Sequence, residues 1–198
     1  MKIIRLVSLV LVLSMITCVF FSCDSSGSDG SDIAIPERDM YTVTVSFQIK
    51  DSTGKTQIEA IDYTYRGHAE PTIMNVMQAY LAVEADWVFK LDKENSITQI
   101  GGMKADKKNG DYWGFVSNVS GQLDNELKEK RNGNEDKKVA PEALTAEEIA
   151  SCFTVKDTAA INLSVDQIKK GLGDGSLKDA FLVDGAQFTV MLIKSSEE

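Results

Sequence analysis

Side chains that act as nucleophiles or general bases are scarce in this sequence. His68 is the single histidine, and the three cysteines are Cys18, Cys23 and Cys152. A thiol beside an imidazole can form a nucleophile–base pair, so Cys152 and His68 are conceivable partners by residue type. Nothing in the sequence places them together, and a free cysteine usually behaves as a small buried hydrophobe. We therefore expect a protein that is not an enzyme.

Metal and cofactor motifs are also incomplete. Zinc sites use several histidine or cysteine ligands, and the chain beyond residue 23 has one of each. Residues 132–136 place oxygen donors at alternate positions, but Lys137 and Ala143 stand where a calcium loop needs glycine and glutamate. The glycine-rich stretch 171–175 lacks the lysine of a phosphate loop. We expect no metal and no cofactor.

Cys23 stands at the end of an N-terminal segment with a signal-like order of residues. Lys2 and Arg5 give this segment positive charge, residues 3–21 are mostly apolar, and Ser22 is small. An order of basic, apolar and small residues is typical of a secretory signal. The segment therefore predicts export from the cytoplasm.

Residues 19–23 resemble the lipobox of bacterial lipoproteins, and Cys18 is a second candidate for the acylated position. The resemblance implies that a signal peptide, 1–22, is removed and that Cys23 carries fatty acids such as palmitate. Two acyl chains give stable anchoring. An uncleaved transmembrane anchor is one alternative, because the apolar run 3–21 is about as long as the minimum of about 17 residues that a membrane span needs. Plain secretion is the other alternative. All three place the remaining chain outside the cytoplasm, at the cell surface or the periplasmic face of a bacterial membrane.

The composition limits the partners of the chain. The formal net charge is −9, and an acidic surface repels phosphate backbones and anionic lipid headgroups. We therefore expect no nucleic acid partner, and a membrane contact through the lipid anchor alone. With Cys23 acylated and Cys18 removed, Cys152 has no cysteine partner. Stability must then come from a hydrophobic core and not from a disulfide.

The chain divides into a tether and one domain. Residues 23–39 combine the acylated cysteine with a flexible stretch rich in serine, glycine and aspartate, which has too little apolar surface to offset the entropy of ordering. The domain, 40–198, is long enough for a single core, and hydrophobic periodicity defines its elements. The predicted strands are 41–49, 57–65, 87–91, 96–100, 112–116 and 187–193, and the main predicted helix is 72–81.

A long insertion, 122–176, precedes the last predicted strand. Residues 126–138 are almost wholly charged or Asn and Gly, and we expect them to form an exposed excursion. Residues 145–148 form a capping box that opens a short helix through Cys152, and 164–170 predicts another helix. The predicted fold class is α+β, with a mixed sheet packed on one main helix and a helical insertion before the last strand.

Aromatic side chains are the remaining candidates for a binding surface. Tyr63, Tyr65, Tyr112 and Trp113 could form a platform, because aromatic rings offer a large contact area at low entropic cost. Tyr112 and Trp113 are neighbours on a predicted strand, so their side chains point to opposite faces. We expect one of them in the core and the other outside.

The order of elements resembles a known family. A helix begins at Thr72, residues 97–102 end in a pair of glycines, 112–116 is an aromatic strand followed by Asn118, and 177–193 closes the chain. This order is similar to the transcobalamin-like C-terminal domain, a β-grasp-like module of bacterial surface proteins. The resemblance implies a β-grasp-like sheet and a ligand such as cobalamin or a related corrinoid.

The sequence therefore predicts a lipid-anchored extracytoplasmic binding module that captures a small molecule, with corrinoids as the named candidate. The alternative is a structural or adhesive surface protein that binds glycan or another protein through an exposed sheet edge. The candidate ligand-binding residues are Tyr65, Tyr112, Trp113 and Asn118.

Overall fold

The computed structural model describes residues 40–85, 87–173 and 175–195. The predicted signal peptide 1–22 and the predicted tether 23–39, with the acylation site Cys23, lie outside the described residues. Among the residues that are described, no helix is long and apolar enough to span a membrane.

The described residues form nine strands and four α-helices. The strands are β1 Tyr41–Lys50, β2 Thr56–Gly67, β3 Phe89–Leu91, β4 Ile97–Ile100, β5 Met103–Lys104, β6 Tyr112–Ser117, β7 Val119–Gly121, β8 Phe153–Val155 and β9 Ala186–Ile193. The helices are α1 Ile73–Val83, α2 Asn125–Asn132, α3 Ala146–Cys152 and α4 Val165–Gly171.

The main sheet has the strand order β2-β1-β9-β6. Its central strands β1 and β9 are parallel, from Val45 beside Ala186 to Lys50 beside Met191. The outer strands β2 and β6 are antiparallel to their neighbours. The sheet is therefore mixed, and with α1 against it the α+β prediction is confirmed.

The core lies between this sheet and α1. The alternating apolar residues of β1 are buried, and Phe47 stacks on Phe188 of β9 with ring centroids 4.8 Å apart. Tyr80 of α1 meets Phe47 edge to face at 5.1 Å. The side chain of Thr72 caps α1, and the amides of its first residues, Ile73 and Met74, donate to carbonyls of the segment 177–180. The chain that precedes β9 thus holds the start of α1.

The second face of the sheet is also covered, which the alternation of β1 did not predict. Ile168 of α4 packs with Met191 and neighbouring apolar side chains on this face. Gln48, on the polar side of β1, is 2% exposed, and its amide group donates to Glu59 at 2.6 Å and to Asn162 at 2.7 Å. The insertion covers polar side chains that an open sheet would leave in water, so β1 is buried on both faces from Val45 to Lys50.

Residues 126–138 contain no buried residue, but their first half belongs to helix α2 and is attached to the domain. Asp124 caps α2 and basic residues occupy its last turn. Interaction of these charges with the helix dipole stabilises the helix. Arg131 in that turn donates to Glu70 at 2.8 Å and to Asp179 at 2.9 Å. Its guanidinium lies over the ring of Phe181, 4.8 Å from the centroid. Arg131 therefore fixes this charged segment to the domain, together with Lys130, which pairs with Glu148 at 2.7 Å, and Leu127, which packs against the core.

We expect Arg131→Gln to lower the free energy of unfolding by about 2 kcal/mol, because the half-buried carboxylate of Glu70 loses a charged hydrogen-bond partner. Arg131→Lys should not restore stability. A compact ammonium cannot bond to both carboxylates and at the same time lie flat over the ring of Phe181, as the planar guanidinium does. Urea unfolding of the full chain measures the change. The exposed Lys128→Gln is the matched control, with an expected effect within about 0.5 kcal/mol. Equal effects of the two glutamine variants would contradict the role of Arg131.

Candidate functional site: a cleft at the edge of the sheet

The edge strand β6 presents backbone groups away from β9. The amide of Asn118, just beyond β6, donates to the carbonyl of Gln187 at the start of β9. Alternate residues of an antiparallel pair direct both backbone groups to the same side, so Gly114 and Val116 face β9, and Trp113 and Phe115 face outward. Among the described residues no strand pairs with this outer edge.

A cleft of about 670 Å³ runs along the outer edge of β6. We call it the β6 cleft. Its floor is residues 112–115, one wall is residues 94–97 with Lys107, and the other wall is residues 172–173 and 175–178, with Met74 at the start of α1. A volume of this size lies within the range of ligand sites, about 300–1,000 Å³.

One wall, which we call the strap, consists of residues 172–173 and 175–178. The amide of Gly173 donates to the outward carbonyl of Phe115 at 3.0 Å. Leu172 packs directly over Gly114, where a Cβ atom would come within 2.5 Å of the leucine Cδ2. At the far end, the carbonyl of Leu177 accepts from the amide of Met74 at 3.1 Å. The strap is thus attached at both ends, and the absence of a side chain at Gly114 permits the first attachment.

The opposite wall is a tight turn that precedes β4. The carboxylate of Asp92 accepts the amides of Glu94 and Ser96, both at 2.9 Å, and pairs with the ammonium of Lys107. The hydrogen bond from Lys107, with those from the two amides, holds the pKa of Asp92 below its ordinary value. The turn is therefore fixed by a carboxylate that stays ionised at neutral pH, and it places Glu94 and Lys107 at the cleft.

Two of the four predicted ligand-binding residues meet in the β6 cleft. Tyr112 is 47% exposed and Trp113 is 7% exposed, and both line it. Their placement outside and inside the core is the one that strand alternation predicted. The indole N–H of Trp113 is buried without a hydrogen-bond partner among the described residues. A buried donor of this kind costs about 1–3 kcal/mol.

The other two predicted residues lie elsewhere. Tyr65 is 3% exposed, and its hydroxyl donates to the carbonyl of Ala69 at 2.8 Å. Asn118 is buried, accepts from the amide of Gln187 at 2.7 Å, and holds the end of β6 to β9. Tyr63 packs edge to face on Tyr80 within the aromatic part of the core. The predicted platform of Tyr63, Tyr65, Tyr112 and Trp113 is therefore not formed.

Sequence reasoning missed the strap and the outward backbone of β6. Leu172 and Gly173 lie in the glycine-rich stretch 171–175, which the sequence indicates only as an incomplete phosphate loop. The signal that could have found the cleft is Gly114, a glycine between aromatic residues of a strand, since such a glycine often marks the close approach of another segment.

Metal-binding groups are not assembled among the described residues. No group of three histidine, cysteine, aspartate or glutamate side chains there could hold a metal ion. Cys152 ends α3, half-buried beside the core, with its sulfur 3.8 Å from the hydroxyl of Ser151. In comparisons with known proteins, no family model and no curated protein matches this chain. The site must therefore be interpreted from its geometry.

We expect Gly114→Val to displace Leu172 and loosen the strap, because the new side chain needs the space that the leucine occupies. Overpacking costs about 1–3 kcal/mol, so hydrogen exchange at the Gly173 amide should become at least about tenfold faster. The double variant Gly114→Val with Leu172→Ala should regain most of the protection. Gly102→Val is the control, since no atom lies within 4 Å of a Cβ at that position. Unchanged exchange at Gly173 in the single variant would contradict the attachment.

Proposed function

We propose that this protein is a lipid-anchored extracytoplasmic binding module that holds its ligand in the β6 cleft, and that it is not an enzyme. The observation that carries the proposal is the cleft itself, in which an exposed tyrosine and a buried tryptophan lie on adjacent positions of an edge strand. Both ends of the strap are bonded to the domain, so the cleft is a formed site and not a gap between loose loops.

The composition of the lining supports binding. Apolar side chains of Met74, Ile97, Leu172 and Leu177 line the cleft together with the aromatic pair. Ligand sites combine such apolar surface with a few polar groups that fix orientation. Here the polar groups are the side chains of Glu94, Asn95, Ser96, Lys107, Ser176 and Lys178.

The buried indole of Trp113 favours a ligand with a hydrogen-bond acceptor. The charged side chains of the described lining are Glu94, Lys107 and Lys178, and Lys107 is already paired with Asp92. The indole of Trp113 is a donor only, and an acceptor that reached it would remove the cost of its burial. Corrinoids, which the family resemblance implies, are one class to test.

The lining also supports a role without chemistry. Its ionisable side chains among the described residues are Glu94, Lys107, Tyr112 and Lys178, with neither histidine nor cysteine. A nucleophile requires an adjacent base that activates it. In the described lining, Lys107 is instead ion-paired to Asp92. Binding is the activity that this set of residues serves best.

The anchor is tested at the cysteines. We expect Cys23→Ala to abolish labelling of the protein by a palmitate analogue in bacterial cells, because the thiol is the acceptor of the fatty acid in the proposal. Cys18→Ala is the matched control and should keep full labelling. Loss of labelling in Cys18→Ala alone would move the anchor to that residue. Membrane retention of an unlabelled wild-type chain would favour an uncleaved apolar anchor.

The cleft is tested by filling it. Gly175 lines the cleft, and no described residue beyond its chain neighbours has an atom within 4 Å of a Cβ there, so Gly175→Tyr should fold and occupy the ligand space. We expect the variant to bind ligand at least tenfold more weakly, a loss of about 1.4 kcal/mol. The control Gly102→Tyr adds the same side chain at an equally open position away from the cleft.

The measurement is titration with cobalamin and related corrinoids, followed in the visible spectrum, beside thermal-shift screening of a panel of other small molecules. No spectral change at high micromolar corrinoid would remove that ligand class. Any ligand that binds wild type and Gly175→Tyr equally would contradict the cleft as its site.

A further inference from the structure

We propose that the occupant of the β6 cleft is an extended polypeptide segment that pairs with β6 as an added strand, centred on Trp113. This inference rests on the proposed function, because it takes the β6 cleft as the ligand site. It adds the chemical class of the ligand and the backbone groups that recognise it.

The first argument is the direction of the backbone. Trp113 and Phe115 direct their N–H and C=O groups to the side of β6 away from β9. The carbonyl of Phe115 already accepts from Gly173, which shows that a second chain segment can bond to this edge at ordinary length, 3.0 Å. Beyond Gly173 the strap leaves β6 for the start of α1. The groups of Trp113 therefore face the cleft floor, where an incoming chain would find one donor and one acceptor.

The second argument is the regularity of β6 compared with the other edge of the sheet. All six residues of β6 pair with β9 without a register shift. At the opposite edge, β2 has a bulge in which Ile61 and Asp62 oppose the single residue Ser46, and Asp62 has a φ of 51°. Bulges and charges on edge strands oppose the addition of further strands. The feature that protects β2 is absent from β6.

The third argument is what the side chains of an added strand would meet. Successive side chains of a strand point to opposite faces. On one face they would reach Tyr112, and on the other the apolar groups of Trp113 and Leu177. Lys107 is already paired with Asp92, so the other charged side chains of the described lining, Lys178 and Glu94, balance each other and select no charge on the segment. The geometry points to an extended segment with apolar side chains at alternate positions.

The test begins with a displayed library of random decapeptides, selected on the full chain in detergent micelles. Enriched peptides are then synthesised and titrated into wild type, Gly175→Tyr and Gly102→Tyr. We expect alternating apolar residues in the enriched peptides, at least tenfold weaker binding to Gly175→Tyr, and unchanged binding to Gly102→Tyr. Hydrogen exchange at the Trp113 amide should slow at least tenfold on binding, because that N–H gains an acceptor.

Backbone methylation of the peptides separates strand pairing from side-chain binding. Methylating the peptide nitrogen that faces Trp113 should weaken binding at least tenfold, whereas methylating the next nitrogen, which points outward, should change it less than threefold. Equal effects of the two methylations, an unprotected Trp113 amide, or a library from which no peptide is enriched would each overturn the inference.

These outcomes are distinct from failure of the proposed function. A corrinoid or another small molecule that is lost in Gly175→Tyr, with no peptide enriched, keeps the cleft as a binding site and overturns the peptide as its occupant. If neither peptides nor small molecules depend on Gly175, both proposals fail together.

Discussion

The first and last strands of the domain, β1 and β9, lie side by side and parallel. This pairing constrains the path of the chain between them. Parallel neighbours cannot be joined by a tight turn, so the chain from β1 must leave the sheet, cross it and return in the same direction. In doing so it adds β2 on one side and β6 on the other, and it lays α1 across one face. The stacked rings of Phe47 and Phe188 sit at the centre of this pair.

The return path to β9 is also what builds the cleft. The chain passes over the second face of the sheet as α4, crosses the edge of β6 at Gly173, and then satisfies the first amides of α1 before it enters β9. The strap therefore serves the fold and the cleft at once. A change in the strap would reach the core through α1, because the carbonyl of Leu177 is a partner of the helix start.

Local signals predicted the elements but not their long-range contacts. Strict alternation identified β1, apolar spacing identified α1, and the capping box at Thr145 identified α3. The helix predicted over 164–170 is α4, and the structure adds a capping box at Ser164. The partners of Arg131 lie 61 and 48 residues away along the chain, so composition alone predicted an exposed excursion where α2 stands. Asn118 was predicted to bind ligand for the same reason, since the amide that it accepts from, Gln187, is 69 residues away along the chain.

The recessed position of β6 bears on what the edge can accept. An open, regular sheet edge is normally a hazard, because the edge of any other sheet can pair with it. Here the turn before β4 stands on one side of the edge and the strap on the other. With a wall on each side, the edge of β6 admits one extended chain more easily than a second sheet. The same walls that oppose aggregation would therefore select a single segment, which is the behaviour expected of a binding site and not of an unprotected edge.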